Sequence, residues 1–553
     1  MWGKNEPSLP MHRSTFAGIS SRIKSTLISD RRSTFLYRIL ALLASCALLW
    51  MIFARPTTTV IELSPTAHTK LNQQKPLAPP LAGGNRSKNP DVPTWKKEVL
   101  AKVNDRYSIF TREQFTPQAL ENNGLIPVTA VLLGWKRIES LQFVIKYLTK
   151  YPYIKEILIW NNNKEIRLNA KDFELEPSAI GHVELQVFNS DENLHDLSKY
   201  TTCALSKYDY CYFQDDDWLN LYMDSLYSNF LKHPTLIHSN TMPIIHLEHR
   251  RWMFTDTDIN LHTGFTWLGC GSFLQRDKVH RFLAQLGQEN LPRERLRLAD
   301  MYFSIWTNQY PYQLSNPLTP LDQDKGWSTS VDQWAIVYGN IYDAASKLHK
   351  ALSVNVGENP EDYFVREEQP PLHKDRDVRA PCLNDKCLFT TNIDAFPHPS
   401  QVRFSPNKYR SVKHQEEAFN SLDFPSNTFW DQHAYHNAVD LDPKTCWNSH
   451  KAPKVGDYFG LTLLKAIPST SAQVEITFGK VVGNAKFELQ VHEGGDSNWT
   501  RCSARMLTSS TPEKLRMSLA SCPVAKVAGL RFIATQVMDP FEVCGIQVGD
   551  IKV

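Results

Sequence analysis

No Cys-x-x-Cys pair occurs in the 553 residues, and the eighteen histidines include no His-x-x-x-His. That argues against a zinc site of the usual spacing. His246 with His249, and His433 with His436, stand at helical spacing, but neither pair has a cysteine or His-Glu-x-x-His context, so no histidine is assigned to metal. A long basic stretch interleaved with aromatics is also missing. With a net charge of only +3, a nucleic-acid partner is not expected. There are no internal repeats. Long apolar runs are equally scarce: one stands out, Phe35–Ala54.

That run has about the ~20 residues needed to cross a bilayer, and Arg38 near its start can snorkel to the headgroups. The preceding tail carries Lys4, Arg13, Arg22, Lys24, Arg31 and Arg32 against Glu6 and Asp30. Positive charge marks the cytosolic side. The expected topology is a cytoplasmic tail over residues 1–34, a transmembrane signal anchor over 35–54, and a lumenal body in the Golgi or endoplasmic reticulum membrane. The charged region is too long and the apolar span too extended for a cleaved signal peptide. Residues 55–95 are rich in Pro, Thr, Asn and Lys without apolar periodicity, and read as an extended stem. Nine of ten cysteines lie beyond the span, as an oxidising lumen favours. Nine is odd, so at least one thiol is left without an intramolecular partner. Cys382 and Cys387 are close enough to close a small loop, and the last four cysteines allow two bridges of open connectivity. Asn85-Arg86-Ser87 and Asn498-Trp499-Thr500 are glycosylation sequons.

From Ile126 the texture changes. Runs at Ile126–Leu133, Ile154–Trp160, Val183–Phe188 and Tyr208–Phe213 are mostly apolar, as buried parallel strands should be. Helical spacing fills the gaps, with Leu141, Val144, Ile145 and Leu148 on one face after the first run. Alternating strands and helices predict an α/β, Rossmann-like domain over residues 96–350. A polar, proline-containing stretch, 351–424, reads as a linker. Short strand-like runs without intervening helices over 425–553 predict an all-β sandwich.

In such sheets ligands bind beyond the carboxyl ends of the strands. Four polar clusters fall there: Trp135-Lys136-Arg137, Asn161-Asn162, Asn189, and the consecutive Asp215, Asp216 and Asp217. Three adjacent carboxylates at a strand end repel one another and call for a cation. Oxygen-only donors suit a hard divalent ion, Mn²⁺ or Mg²⁺, which also binds a diphosphate.

Four blocks over roughly residues 125–310 carry a family likeness: Leu133-Gly134-Trp135-Lys136-Arg137 with Ile154–Asn162, the Asp triplet, Gly271-Ser272-Phe273, and Ala299-Asp300-Met301. On these the chain resembles the exostosin-like glycosyltransferases, family 64. The resemblance implies a GT-A fold, a UDP-sugar donor, Mn²⁺ dependence and retention of anomeric configuration. It assigns Arg137, Asn161 and Asn162 to the nucleotide, Asp215 and Asp216 to ribose and sugar, Asp217 to the metal, and Asp300 to the donor sugar as catalytic residue. The family's Asn-Arg pair after the third strand has Asn193 and Lys199 as its nearest counterparts, one residue further apart, and Lys loses the bidentate phosphate geometry of Arg. Ala299 replaces an acidic neighbour of Asp300. Asn437–Ser449 and Gly456–Gly460 resemble the start of a discoidin-type sandwich, which implies either a module that binds glycans or lipid headgroups or a purely structural appendage.

The expected function is transfer of a sugar, an N-acetylhexosamine by expectation, from a UDP-sugar to a glycan or glycoprotein acceptor. The polar loop Asp322-Gln323-Asp324-Lys325-Gly326 reads either as a solvated loop or as a lid whose Lys325 closes over the phosphates. Two alternatives stay open: a glycoside hydrolase using a carboxylate pair such as Asp217 with Asp300, and a non-catalytic glycan-binding membrane protein.

Overall fold

A computed structural model of the chain describes residues 125–323, 331–354, 364, 376–479 and 486–549, save 496, 508–510 and 512. The predicted tail, membrane span and stem lie outside the described residues, as does Lys325. Among the described residues no helix is long and apolar enough to cross a membrane.

The chain opens with strand β1 (Val128–Gly134), helix α1 (Ile138–Leu148) and strand β2 (Ile154–Asn161). Then come β3 (Glu184–Asn189), α2 (Leu197–Ala204), β4 (Tyr210–Gln214) and the two-residue β5 (Trp218–Leu219). Next are α3 (Met223–Lys232), β6 (His238–Thr241), α4 (Pro243–Arg251), β7 (Met253–Asp256), β8 (Leu261–Gly264) and β9 (Ser272–Gln275). The set closes with α5 (Arg276–Glu289), α6 (Ala299–Trp306), β10 (Tyr312–Ser315), β11 (Thr319–Pro320) and the long α7 (Val331–Ser353).

Seven strands form one mixed sheet in the order β10-β6-β9-β4-β1-β2-β3. All neighbours run parallel except β9, which is antiparallel to both β4 and β6. β1 and β2 are buried almost throughout because helices cover both faces, which is why their sequences are continuously apolar. The apolar face expected of α1 is the buried one. The parallel strands β1, β2 and β4 end on one rim, so the turns carrying Arg137, Asn162 and the Asp triplet converge there.

The C-terminal half holds two antiparallel sheets. One has six strands in the spatial order Val378–Pro381, Cys387–Thr391, Tyr458–Pro468, Lys526–Ala534, Phe487–His492, Thr500–Arg501. The other has five: Trp447–Asn448, Glu542–Gly549, Gln473–Phe478, Lys514–Ser518, Arg505–Met506. Trp447, Phe459, Val474 and Leu530 lie in the core of this half. Cys446–Cys544 and Cys502–Cys522 staple it. Cys382–Cys387 closes the small loop expected from spacing, and Cys203–Cys211 ties α2 to β4.

The stretch 351–424, expected as a linker, is largely built into the fold. Its segments 378–381 and 387–391 are the first two strands of the six-stranded sheet. Its helix Val412–Asn420 buries Val412 and Phe419 in the core of the α/β half. Strands of four or five residues among prolines show too little alternation to be read from the sequence. The two halves also share apolar surface: Val378, Leu388 and Leu464 pack in the same core as β1 and β2. A polar joint adds to this. The Asp385 carboxylate accepts hydrogen bonds from the backbone N–H of Asp224 (3.1 Å) and Ser225 (3.0 Å), capping the first turn of α3 from the other half.

Candidate active site

A cavity of about 1130 Å³ opens at the carboxyl ends of the parallel strands. Most of the expected site residues line it: Arg137, Asn162, Asn193, Lys199, Asp215 to Asp217, and Asp300.

Asp215 and Asp217 are fixed through their backbones. The Asp215 N–H donates to the Gly269 carbonyl at 2.7 Å. A Cβ on Gly269 would overlap the Asp215 carboxylate, so only glycine permits that approach. The Asp217 carbonyl accepts from the Leu321 N–H (2.8 Å) and from Gln323 Nε2 (2.6 Å). The short antiparallel pair of β5 with β11 holds that loop in place. Arg137 sits at the N-terminal end of α1. Its Nη1 lies 3.0 Å from Asp216 Oδ1 and 3.3 Å from Asp217 Oδ2. Burial works against its charge, but the Asp216 and Asp217 carboxylates outweigh burial and raise it. Burial pushes the Asp216 carboxyl up to about 7, against the pull of Arg137 and with a further push from Asp217 and Asp215. Asp217 is raised too, by burial first and then by Asp215.

A second cluster sits behind the first. Lys199, on α2, is 2% exposed. Its Nζ lies 2.9 Å from Asp300 Oδ2, 3.2 Å from Asp215 Oδ1 and 3.9 Å from Asp196 Oδ1. Burial opposes the ammonium, yet Asp215, Asp300 and Asp196 together hold it charged, well above the ordinary lysine value. Asp300, in the first turn of α6, receives the Tyr200 hydroxyl on its other oxygen at 2.7 Å.

This geometry changes two assignments. Lys199 is committed to three carboxylates; it anchors the acidic cluster instead of standing open for a phosphate. Asn161 does not line the cavity. Its Nδ2 donates to the Ile166 carbonyl (2.5 Å) and Asn189 Oδ1 (2.9 Å), and its Oδ1 accepts the Asn163 N–H (3.0 Å), so it braces the loop after β2. Asn162 does line the cavity, bonding Ser198 Oγ (3.1 Å) and the Leu194 N–H (3.0 Å). Asn193 accepts the His195 N–H at 2.8 Å.

Asp196 and Cys270 are among the lining residues that escaped the sequence reading. Asp196 stands just before α2; burial, then Asp300, pushes its carboxyl well above the usual range against the pull of Lys199. A lone aspartate in a loop carries no pattern. Cys270 is unpaired and lines the cavity beside Gly269. Burial, then Asp217 and Asp215, raises its thiol well above the ordinary value.

Among the described residues no group of three or more His, Cys, Asp or Glu side chains forms a ready metal cage. The donor set is still hard oxygen, and both Asp215 and Asp217 keep about a third of their side-chain surface open (33% and 28%). These residues fit an ion shared with a bound diphosphate and water.

No family profile matches the sequence, and no curated protein matches it. Solved structures give distant likenesses. The family 32 carbohydrate-binding module of Clostridium perfringens NanJ, in complex with galactose, is 14% identical, covering 21% of this chain and 85% of that one, with a TM-score of 0.17. The mannosyltransferase PcManGT from Pyrobaculum calidifontis, in complex with GDP-Man and Mn²⁺, is 12% identical over 49% of this chain and 75% of that one, with a TM-score of 0.27. TarS 1-349 of S. aureus in complex with UDP is 11% identical over 40% of this chain and 65% of that one, with a TM-score of 0.26. Overlap this slight carries no argument about activity.

Proposed function

We propose that this chain is a glycosyltransferase that takes its sugar from a nucleotide diphosphate-sugar. One observation carries the reading: hard-oxygen carboxylates, an arginine and a lysine-anchored aspartate converge in one large cavity at the carboxyl ends of parallel strands. At about 1130 Å³ the cavity stands at the upper end of the roughly 300–1,000 Å³ usual for small-molecule sites.

In the transfer, the bond from the anomeric carbon to the diphosphate oxygen breaks and a bond to an acceptor hydroxyl oxygen forms. The hydroxyl proton passes to the departing diphosphate. A divalent ion bound with the diphosphate would offset the charge that builds on the leaving group. Asp217 would hold that ion, and Arg137 keeps the Asp216 and Asp217 carboxylates together before it arrives. Asp300 faces the donor sugar, with one carboxylate oxygen 2.9 Å from Lys199 Nζ and the other accepting the Tyr200 hydroxyl.

The finer reading rests on the family likeness of the sequence: UDP as the nucleotide, an N-acetylhexosamine as the sugar, retention of configuration, and a glycan or glycoprotein acceptor. The apolar run 35–54 supports a type II membrane protein of the Golgi or endoplasmic reticulum with the catalytic body in the lumen.

Calorimetry of UDP with and without Mn²⁺ tests the proposal. Binding should require the ion and should be lost in Asp217→Ala. Equal UDP affinity without any divalent ion would remove the metal from the account, and no binding under either condition would remove the nucleotide.

A further inference from the structure

We infer that the cavity-side face of α7, formed by Trp334, Ala335, Ile336 and Gly339 and faced by Trp267, is the acceptor subsite, and that it takes a pyranose ring of a glycan. The inference rests on the transferase reading for its role, not for its geometry.

Helix α7 already has a complete core face. Val337, Ile341, Ala344, Ala345, Leu348 and Leu352 are all fully buried. Apolar residues on a second face serve no packing purpose, yet Ala335 and Ile336 are exposed there, Ile336 by 49%. This second face lines the same cavity as the Asp triplet. Trp334, on the core side of the helix's start, and Trp267 are partly buried against the core and also line the cavity. A Cβ on Gly339 would meet nothing within 4 Å, so the shelf between the side chains is open space.

The shelf is held in register with Asp300. The Tyr302 hydroxyl donates to Asp343 Oδ2 at 2.8 Å and Trp306 Nε1 to the Ala344 carbonyl at 3.1 Å, locking α6 to α7. Arg295 Nη1 donates to Asn340 Oδ1 at 2.9 Å. The cavity thus has a charged floor under the donor and an apolar, aromatic far wall. A pyranose presents apolar C–H faces that pack on indole rings, and hydroxyls that accept from guanidinium groups. Arg295 and Arg297 line the cavity beside this wall and supply those donors. A lipid chain would take the remaining guanidinium N–H groups out of water without supplying acceptors, which favours the sugar.

The test uses the full chain and reducing-end-labelled hexose and N-acetylhexosamine disaccharides, titrated by fluorescence anisotropy, with UDP affinity measured in parallel. Trp334→Ala removes a ring. Gly339→Leu fills the shelf where there is room for it and improves helix propensity, so it keeps the fold. Each should weaken disaccharide binding about tenfold, as the loss of about 1.4 kcal/mol does. Trp334→Phe should fall between, and UDP affinity should stay within about twofold. Wild-type protein that binds no disaccharide, variants that bind as the wild type does, or a preference for an unglycosylated peptide would each overturn the inference. Disaccharide binding lost in the variants, with no UDP binding in any form, would sustain the subsite and overturn the transferase reading instead.

Discussion

Lys199 Nζ lies 2.9 Å from Asp300 Oδ2, and each side chain is only 2% exposed. Two residues 101 positions apart in sequence thus form a buried ion pair directly under the cavity. Removing one partner of such a pair leaves the other charge buried and uncompensated.

Lys199→Met should therefore destabilise the chain by about 3–5 kcal/mol, and Lys199→Met with Asp300→Asn should recover part of the loss. Denaturant unfolding of the four members of the cycle measures this. A loss below about 1 kcal/mol in the single variant would mean that the pair is not held as described.

Acid should weaken the fold through its buried histidines. Burial holds His238 down to about 3, with its ring nitrogens beside Asn229 Nδ2 (3.2 Å) and the His233 carbonyl (3.0 Å). Burial also holds His249 down to about 3. Between the ordinary value of 6.5 and those values the unfolded chain takes up protons that the folded chain does not. The contribution is thus complete above pH 6.5 and is lost as pH falls toward 3. Thermal unfolding across pH 4–7 should show this slope, and His238→Gln should flatten it. A slope unchanged by His238→Gln would contradict the assignment.

Cys270 offers a chemical probe of the cavity. Its raised thiol value predicts slow alkylation near neutral pH, and its place on the lining predicts protection by UDP with Mn²⁺. Mass spectrometry of iodoacetamide-treated protein reads both, with Cys270→Ser as the control. Fast labelling indifferent to UDP would place the thiol outside the occupied cavity.

Asp385 ties the two halves together through the first turn of α3. Asp385→Ala should cost about 1 kcal/mol, the usual worth of a helix cap. A chain ending at residue 350 would bare the surface that Val378, Leu388 and Leu464 cover, and should aggregate. A monomeric, cooperatively unfolding protein from that truncation would show the halves to be independent.

The early strands were legible because their burial on both faces writes itself as apolar runs. The sequence placed β1, β2, β3 and β4 within about two residues of their ends, and the rim at their carboxyl ends followed. The strands at 378–381 and 387–391 were not legible; each is short and follows proline or polar residues, with no alternation to read. In the site, the residue types were readable and their commitments were not. Asn161 and Asn162 are neighbours with one side chain folded into its loop and the other on the cavity. Lys199 reads as a phosphate cation until the three carboxylates around it are seen. The far wall on α7 carries no signal, because the consecutive apolar residues Trp334, Ala335 and Ile336 read as part of a core.

The most direct measurement is release of UDP from a panel of UDP-sugars by the full-length protein, with and without Mn²⁺, for the wild type and Asp217→Ala. The account predicts Mn²⁺-dependent turnover of at least one UDP-sugar by the wild type, accelerated by a glycan acceptor and absent in Asp217→Ala, while both proteins unfold at similar denaturant concentrations. Turnover that persists in Asp217→Ala, or a folded wild type that releases UDP from no sugar nucleotide, would contradict it.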